Sequence, residues 1–124
     1  MTITSIASTI DAPTEAPVLT VEVFETDNCS RCTATEKEFR RKGVPFTATN
    51  VLHDERPRED LDGLSPFDFV VTRYGREMPA VVVRDEDGQV VDWWTGGRMD
   101  KWMETIARFE QAGLLIPEHE RIVD

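Results

Sequence analysis

Cys29 and Cys32, in the run Asn28-Cys29-Ser30-Arg31-Cys32, are the only cysteines of this chain, and their placement restricts its fold more than any other feature. A secreted scaffold held by disulfides carries more cysteines, spaced to staple distant loops. A four-ligand zinc site needs two further ligands, and the only imidazoles, His53 and His119, stand in none of the spacings that zinc motifs use. What remains is a close pair at the junction of a strand-like and a helix-like stretch. In a reducing compartment that reads as a thiol–disulfide site; the bland alternative is an inert pair of core cysteines.

The flanking patterns define the junction. Val18 to Phe24 alternates, with Leu19, Val21 and Val23 on one side and Thr20, Glu22 and Phe24 on the other, as a strand does. Thr26-Asp27-Asn28 is a turn, and a helix begins around Cys29 or Ser30. Its body, Thr33 to Lys42, ends in Arg40, Arg41 and Lys42, which complement the helix dipole, and Gly43 stops it. Pro45 leads into a second strand, Phe46 to Leu52. The polar stretch with Asp54, Glu55, Arg58, Glu59 and Asp60 is expected to form a short solvated helix. Ser65 caps the next helix and Pro66 suits its first turn, with Phe67, Val70, Val71 and Tyr74 at helical spacing facing the core and Gly75 as its end.

After Met78-Pro79 come the apolar strand Ala80 to Val83, a hairpin turn at Asp85-Glu86-Asp87-Gly88 and a return strand, Gln89 to Trp94. Trp93 and Trp94 are neighbours on that strand and face opposite ways, one into the core. Gly96-Gly97 precedes a last helix, Met99 to Gln111, whose inner face is expected to carry Met99, Trp102, Met103 and Ile106. The order is β-α-β-α-β-β-α, an α/β chain. The front βαβ unit implies a right-handed crossover with parallel strands, and the tight turn at the back implies an antiparallel pair. Together they predict a mixed four-stranded sheet flanked by helices, within one domain at 18–113. A flexible leader at 1–17 and a tail at 114–124 are expected on either side.

Fourteen basic residues against twenty-four acidic ones leave a net charge of −10 over 124 residues. Such a field repels phosphate backbones and anionic bilayers. No apolar run reaches the roughly 18 residues of a membrane span, and the first residues lack the pattern of a secretory signal. Neither nucleic acid nor membrane is an expected partner. The expected setting is the cytoplasm of a bacterium, or of a host if the chain is phage-encoded.

The stretches V-E-V-F-E-T-D-N-C-S-R-C-T-A-T, M-P-A-V-V-V and W-T-G-G-R-M-D resemble the glutaredoxin-like NrdH redoxins of the thioredoxin-fold superfamily, small electron donors of class Ib ribonucleotide reductases. The resemblance spans about residues 19–110. It implies a thioredoxin/glutaredoxin-like fold and thiol–disulfide oxidoreductase activity. It also implies electrons taken from NADPH through thioredoxin reductase, and a monomer that passes them to a disulfide of ribonucleotide reductase. Gly97 and Met99 depart from that family's usual Phe and Pro, and Gly96-Gly97 with Asp100 is similar to the glutathione-binding turn of true glutaredoxins. Thr26 stands where a basic residue often precedes the motif.

Within that resemblance Cys29 is the expected nucleophile, since a helix N-terminus favours thiolate, and Cys32 the resolving thiol. Arg31 is expected to stabilise the anion. Pro79 is expected to be cis, with Met78 presenting backbone groups to a peptide, while Thr95, Gly96 and Arg98 line the far side of the groove. No metal and no cofactor beyond the Cys29–Cys32 redox pair are expected. Three rivals stay open: a glutathione-dependent glutaredoxin, a non-catalytic thioredoxin-fold binding module and, more remotely, an Fe–S carrier.

Overall fold

A computed structural model describes residues 18–121; the leader 1–17 and residues 122–124 lie outside the described residues. Strand β1 (Thr20–Glu25) leads into helix α1 (Ser30–Lys42), then strand β2 (Thr47–Asn50), a 3-10 turn (Glu59–Leu61) and helix α2 (Pro66–Arg73). Strands β3 (Ala80–Arg84) and β4 (Val90–Thr95), helix α3 (Met99–Gln111) and a final 3-10 turn (Glu118–Glu120) complete it. The sheet order is β2-β1-β3-β4. β1 and β2 run parallel, with Val23 opposite Ala48, while β3 is antiparallel to both β1 and β4. This is the mixed four-stranded sheet that the sequence pattern predicts.

Strand alternation divides the core into two layers. Val21 and Val23 of β1, Val81 and Val83 of β3, and Trp94 pack with Phe39 of α1 and Phe109 of α3. Phe24, Ala80 and Val82 face the other way, onto Leu61 and onto Phe69 and Val70 of α2, and Cys32 joins this second layer. Trp94 is buried, whereas Trp93 is 46% exposed and lies against Tyr74 with ring centroids 4.6 Å apart.

Local signals act as expected at several ends. The Ser65 hydroxyl accepts from the Asp68 amide, Gly43 closes α1 at φ +83°, and Asp85 to Gly88 makes the hairpin turn. β2 is shorter than its apolar pattern. The Asn50 side chain accepts from the Leu52 amide and turns the chain away from the sheet.

Two expectations are corrected. The stretch after β2 forms only one 3-10 turn, Glu59–Leu61, with Glu59 and Asp60 exposed, and its earlier part with Asp54 and Glu55 is not helical. It is a loop closed by an Arg58–Leu64 bridge, with Leu61 fully buried. Arg58 fastens it to the sheet through hydrogen bonds of 2.7 and 3.2 Å to Glu22, a partner 36 residues away and therefore invisible to local pattern. The inner face of α3 is also rotated. Thr105 and Phe109 are buried, Trp102 and Ile106 pack against the core edge, and Met99 and Met103 are 65% and 69% exposed.

Beyond α3, Leu114 and Leu115 pack on the core, and the Ile116 amide donates to the Gly43 carbonyl at 2.8 Å. Arg121 donates to the carbonyls of Ile116 and Arg41. The bonds to Gly43 and Arg41 occupy backbone acceptors at the end of α1 that the helix itself leaves unpaired.

Candidate functional site

The site forms where β1 hands the chain to α1. Asn28 takes a left-handed conformation, φ +55°, and Cys29 then sits in extended backbone as the cap of α1. Its Sγ accepts a hydrogen bond from the Cys32 amide at 3.1 Å. The two cysteines are joined in a disulfide with Cα atoms 5.2 Å apart. Cys32 is buried in the core layer with Phe24 and Leu61, and Cys29 stands at its partly exposed margin. One sulfur is thus reachable and the other shielded. The first turn of α1 holds no acidic residue. The helix therefore presents an undiminished positive end to Cys29, and the amide aimed at its sulfur favours thiolate once the disulfide is reduced. Two residues earlier, Asp27 bonds to Asn50 Nδ2 and to His53 Nε2. Hydrogen bonds from Asn50 and then His53 hold its carboxyl below the usual carboxylate range.

On one side of Cys29 opens a cavity of about 380 Å³, lined by Thr26, Asn28, Ser30 and Arg31 together with Phe67, Val71, Arg76 and Met78. Helical spacing assigns Phe67 and Val71 to the core. Both are only partly buried and form an apolar wall of this cleft, while Phe69, off the expected stripe, takes the core position. Arg76, over the Phe67 ring at 5.9 Å, escapes sequence reasoning altogether. The Met78–Pro79 bond is cis, and the Pro79 carbonyl accepts from the Gly96 amide at 2.9 Å, so Thr95 and Gly96 adjoin the proline loop.

A further missed residue joins these parts. Glu77 accepts from Arg31 Nη1 at 3.2 Å and from Thr95 Oγ1 at 3.1 Å. Arg31 is therefore engaged by a carboxylate and does not stand alone beside the dithiol. Arg98, by contrast, forms a two-pronged pair with Asp100, at 3.0 and 2.8 Å, on the turn into α3. The Arg98 guanidinium holds the Asp100 carboxyl below its usual range. The structure thus brings Cys29, Cys32, Arg31, Met78, Pro79, Thr95 and Gly96 to one rim, with Arg98 at its outer end.

Beneath the site, one helical turn past Cys32, the Glu36 carboxyl is nearly buried and its Oε2 has no hydrogen-bond partner. Burial, together with Glu25 as hydrogen-bonding and like-charged neighbour, pushes Glu36 up to about 8. Among the described residues there is no cluster of three or more His, Cys, Asp or Glu side chains able to hold a metal ion. No helix among them is long and apolar enough to cross a membrane.

Residues 21–87, over half of the chain, match the family described as Glutaredoxin. Solved structures show the same fold at low identity. Thioredoxin f from spinach chloroplast superposes with a TM-score of 0.53 at 17% identity, covering 79% of each chain. Chlamydomonas reinhardtii thioredoxin f2 gives 0.51 at 22%, covering 82% of this chain and 84% of that one. Fasciola hepatica thioredoxin gives 0.50 at 23%, covering 73% and 79%. No curated protein matches significantly.

Proposed function

The chain belongs to the glutaredoxin family and is a thiol–disulfide oxidoreductase; from that premise we propose that it is an NrdH-like redoxin. It takes electrons from NADPH through thioredoxin reductase and passes them to a protein disulfide, that of a ribonucleotide reductase, in the cytoplasm and as a monomer. Its own dithiol is its redox centre and it uses no other cofactor. The observation that carries this reading is the partly exposed Cys29 at the start of α1, its sulfur served by the Cys32 amide, beside a buried Cys32.

Each turnover moves two electrons. In the reduced protein, Cys29 thiolate attacks one sulfur of a substrate disulfide. A Cys29–substrate disulfide forms and the substrate's other sulfur leaves as thiolate. Cys32, deprotonated, attacks Cys29 and expels the second substrate thiolate, leaving the Cys29–Cys32 disulfide. Protons from solvent complete the dithiol product. The substrate peptide lies along the Met78–Pro79 loop, between the Phe67 and Val71 wall and the rim of Arg31, Thr95, Gly96 and Arg98.

NADPH oxidation with thioredoxin reductase and a protein disulfide, run beside a glutathione-coupled assay, tests the proposal. Turnover with thioredoxin reductase supports it; turnover with glutathione alone overturns the NrdH-like assignment. Cys29→Ser is expected to abolish reduction and Cys32→Ser to accumulate a mixed disulfide visible by mass spectrometry. An active Cys29→Ser variant overturns the assignment of the nucleophile.

A further inference from the structure

Glu77 occupies an unusual place for an acidic side chain in a chain of net charge −10. It is joined to Arg31, one of the two residues between the cysteines, and its two oxygens are held by donors from two different elements, Arg31 of α1 and Thr95 at the end of β4. The turn that follows is shaped around this pair. A Cβ built on Gly96 would come within 2.7 Å of Glu77 Oε2, and one on Gly97 within 3.4 Å of Arg31 Cγ. The carboxylate therefore lies directly on the Gly96 backbone, and the arginine stem lies on Gly97. Arg31, which lines the cavity at Cys29, makes with Thr95 and the bare glycine turn a seat for one carboxylate, and the chain fills that seat itself. The Arg31–Glu77 pair is more than half exposed at both partners. An outside carboxylate can thus reach the seat, but only by displacing Glu77 or by meeting it as a like charge.

We propose that Glu77 is a built-in anion that sets substrate choice at this dithiol, disfavouring small thiols that bring their own carboxylates, glutathione among them, and leaving the groove to protein disulfides and uncharged thiols. This rests on the dithiol reading above. The step it acts on is the reduction of the Cys29–Cys32 disulfide by a small thiol. A thiolate attacks Cys29 and forms a mixed disulfide, with Cys32 leaving as thiolate. A second thiolate then attacks the small-thiol sulfur, releasing the oxidised small-thiol disulfide and Cys29 thiolate, so two thiols supply the two electrons. The carboxylates of glutathione meet Glu77 at the first of these attacks. Diethyl-esterified glutathione offers the same sulfur without the two negative charges.

The test follows this reduction by intrinsic tryptophan fluorescence in a stopped-flow instrument, with glutathione and with its diethyl ester, at low salt. The measured quantity is the ratio of the two second-order rate constants. Glu77→Gln is expected to raise the ratio of glutathione to ester about fivefold, the effect of removing one like charge in near contact at a wet surface. Asp87→Asn, which removes one charge from the β3–β4 turn, is expected to change it less than about twofold, because the length of β3 (Ala80–Arg84), about 17 Å, separates that turn from the Met78–Pro79 loop and Coulomb attenuation in water leaves little over that distance. If Glu77→Gln does not fold, Glu77→Thr takes its place. A ratio that stays within twofold in a folded Glu77 variant overturns the proposal, as does an equal rise in Asp87→Asn. Failure of the dithiol reading is distinguishable, since in that case neither thiol, charged or esterified, reduces the wild-type disulfide.

Discussion

Replacing Glu36 by Gln should make the protein more stable at pH 8.5 and leave it nearly unchanged at pH 4.5. Glu36 is nearly buried, its Oε2 has no partner, and its carboxyl is raised from the usual 4.5 to about 8, first by burial and then by Glu25. The folded protein therefore holds a proton that the unfolded chain releases above pH 4.5. Between about 4.5 and 8 the folded state binds more protons than the unfolded one, so stability falls as pH rises and levels off above 8. At about 1.4 kcal/mol per pH unit the full fall is capped at about 5 kcal/mol. The Arg40 attraction is already contained in that value, and water at the edge of the nearly buried carboxyl screens part of the remainder, which brings the expected loss to about 2 kcal/mol. Gln has the shape of the protonated acid, and its amide can donate to Glu25 at every pH. Urea unfolding of the disulfide form, from pH 4.5 to 8.5, measures the difference between variant and wild type and cancels whatever else titrates. With a slope of about 1.5 kcal/mol per molar urea, the variant's midpoint should lie about 1 M higher at pH 8.5 and coincide with wild type at pH 4.5. Parallel curves across the range would refute the reasoning, because they would mean that folding takes up no proton at this carboxyl.

Two further perturbations test the frame around the site. Leu61→Ala removes a fully buried side chain from the layer that holds Cys32; it should cost about 3 kcal/mol by urea unfolding, and a loss under about 1 kcal/mol would show the loop after β2 to be a surface ornament. Gly43→Ala combines a φ of +83° with a Cβ that would meet Arg121 Nε at 2.6 Å and the Ile116 carbonyl at 2.7 Å. It should lower stability by about 2 kcal/mol and quicken hydrogen exchange at the Ile116 amide, and unaltered exchange would refute the docking of residues 114–121 there.

Boundaries that depend on local chemistry were legible in the sequence. Gly43, Ser65-Pro66, Asp85 to Gly88 and the ends of α3 each act through a cap, a turn or a dipole within a few residues of themselves. Directions were harder to read. Helical periodicity shows which residues share a stripe but not the angle at which the helix meets its neighbours. The buried stripe of α3 runs through Thr105 and Phe109, about 90° round from the one that hydropathy picks out at about 100° per residue. The same blindness sets Phe67 and Val71 wholly in the core, although both are only partly buried and wall the cleft, Phe67 packing against the Cys32 layer from there. Arg58 and Glu77 stayed hidden for another reason. Each acts through partners far along the chain, Glu22 in one case and Arg31 and Thr95 in the other, and a charged residue before a Met-Pro pair carries no local mark of that role. At the site, the cysteines could be placed from sequence because their chemistry is bound to one short motif at a helix start.

The bonding of residues 114–121 to the end of α1 also bears on how this protein can be handled. Thirteen residues of α1 at about 1.5 Å each separate Cys29 from that end by about 20 Å. The described chain begins on the same far side, where the Val18 amide meets Glu86 on the β3–β4 turn. A surface tether or fusion partner joined directly at Val18 or at Arg121, in place of the residues outside them, therefore attaches to the side of the molecule away from the redox sulfur. An immobilised protein would turn its reactive face to solution, as an electrode coating or an affinity matrix for trapped mixed disulfides requires.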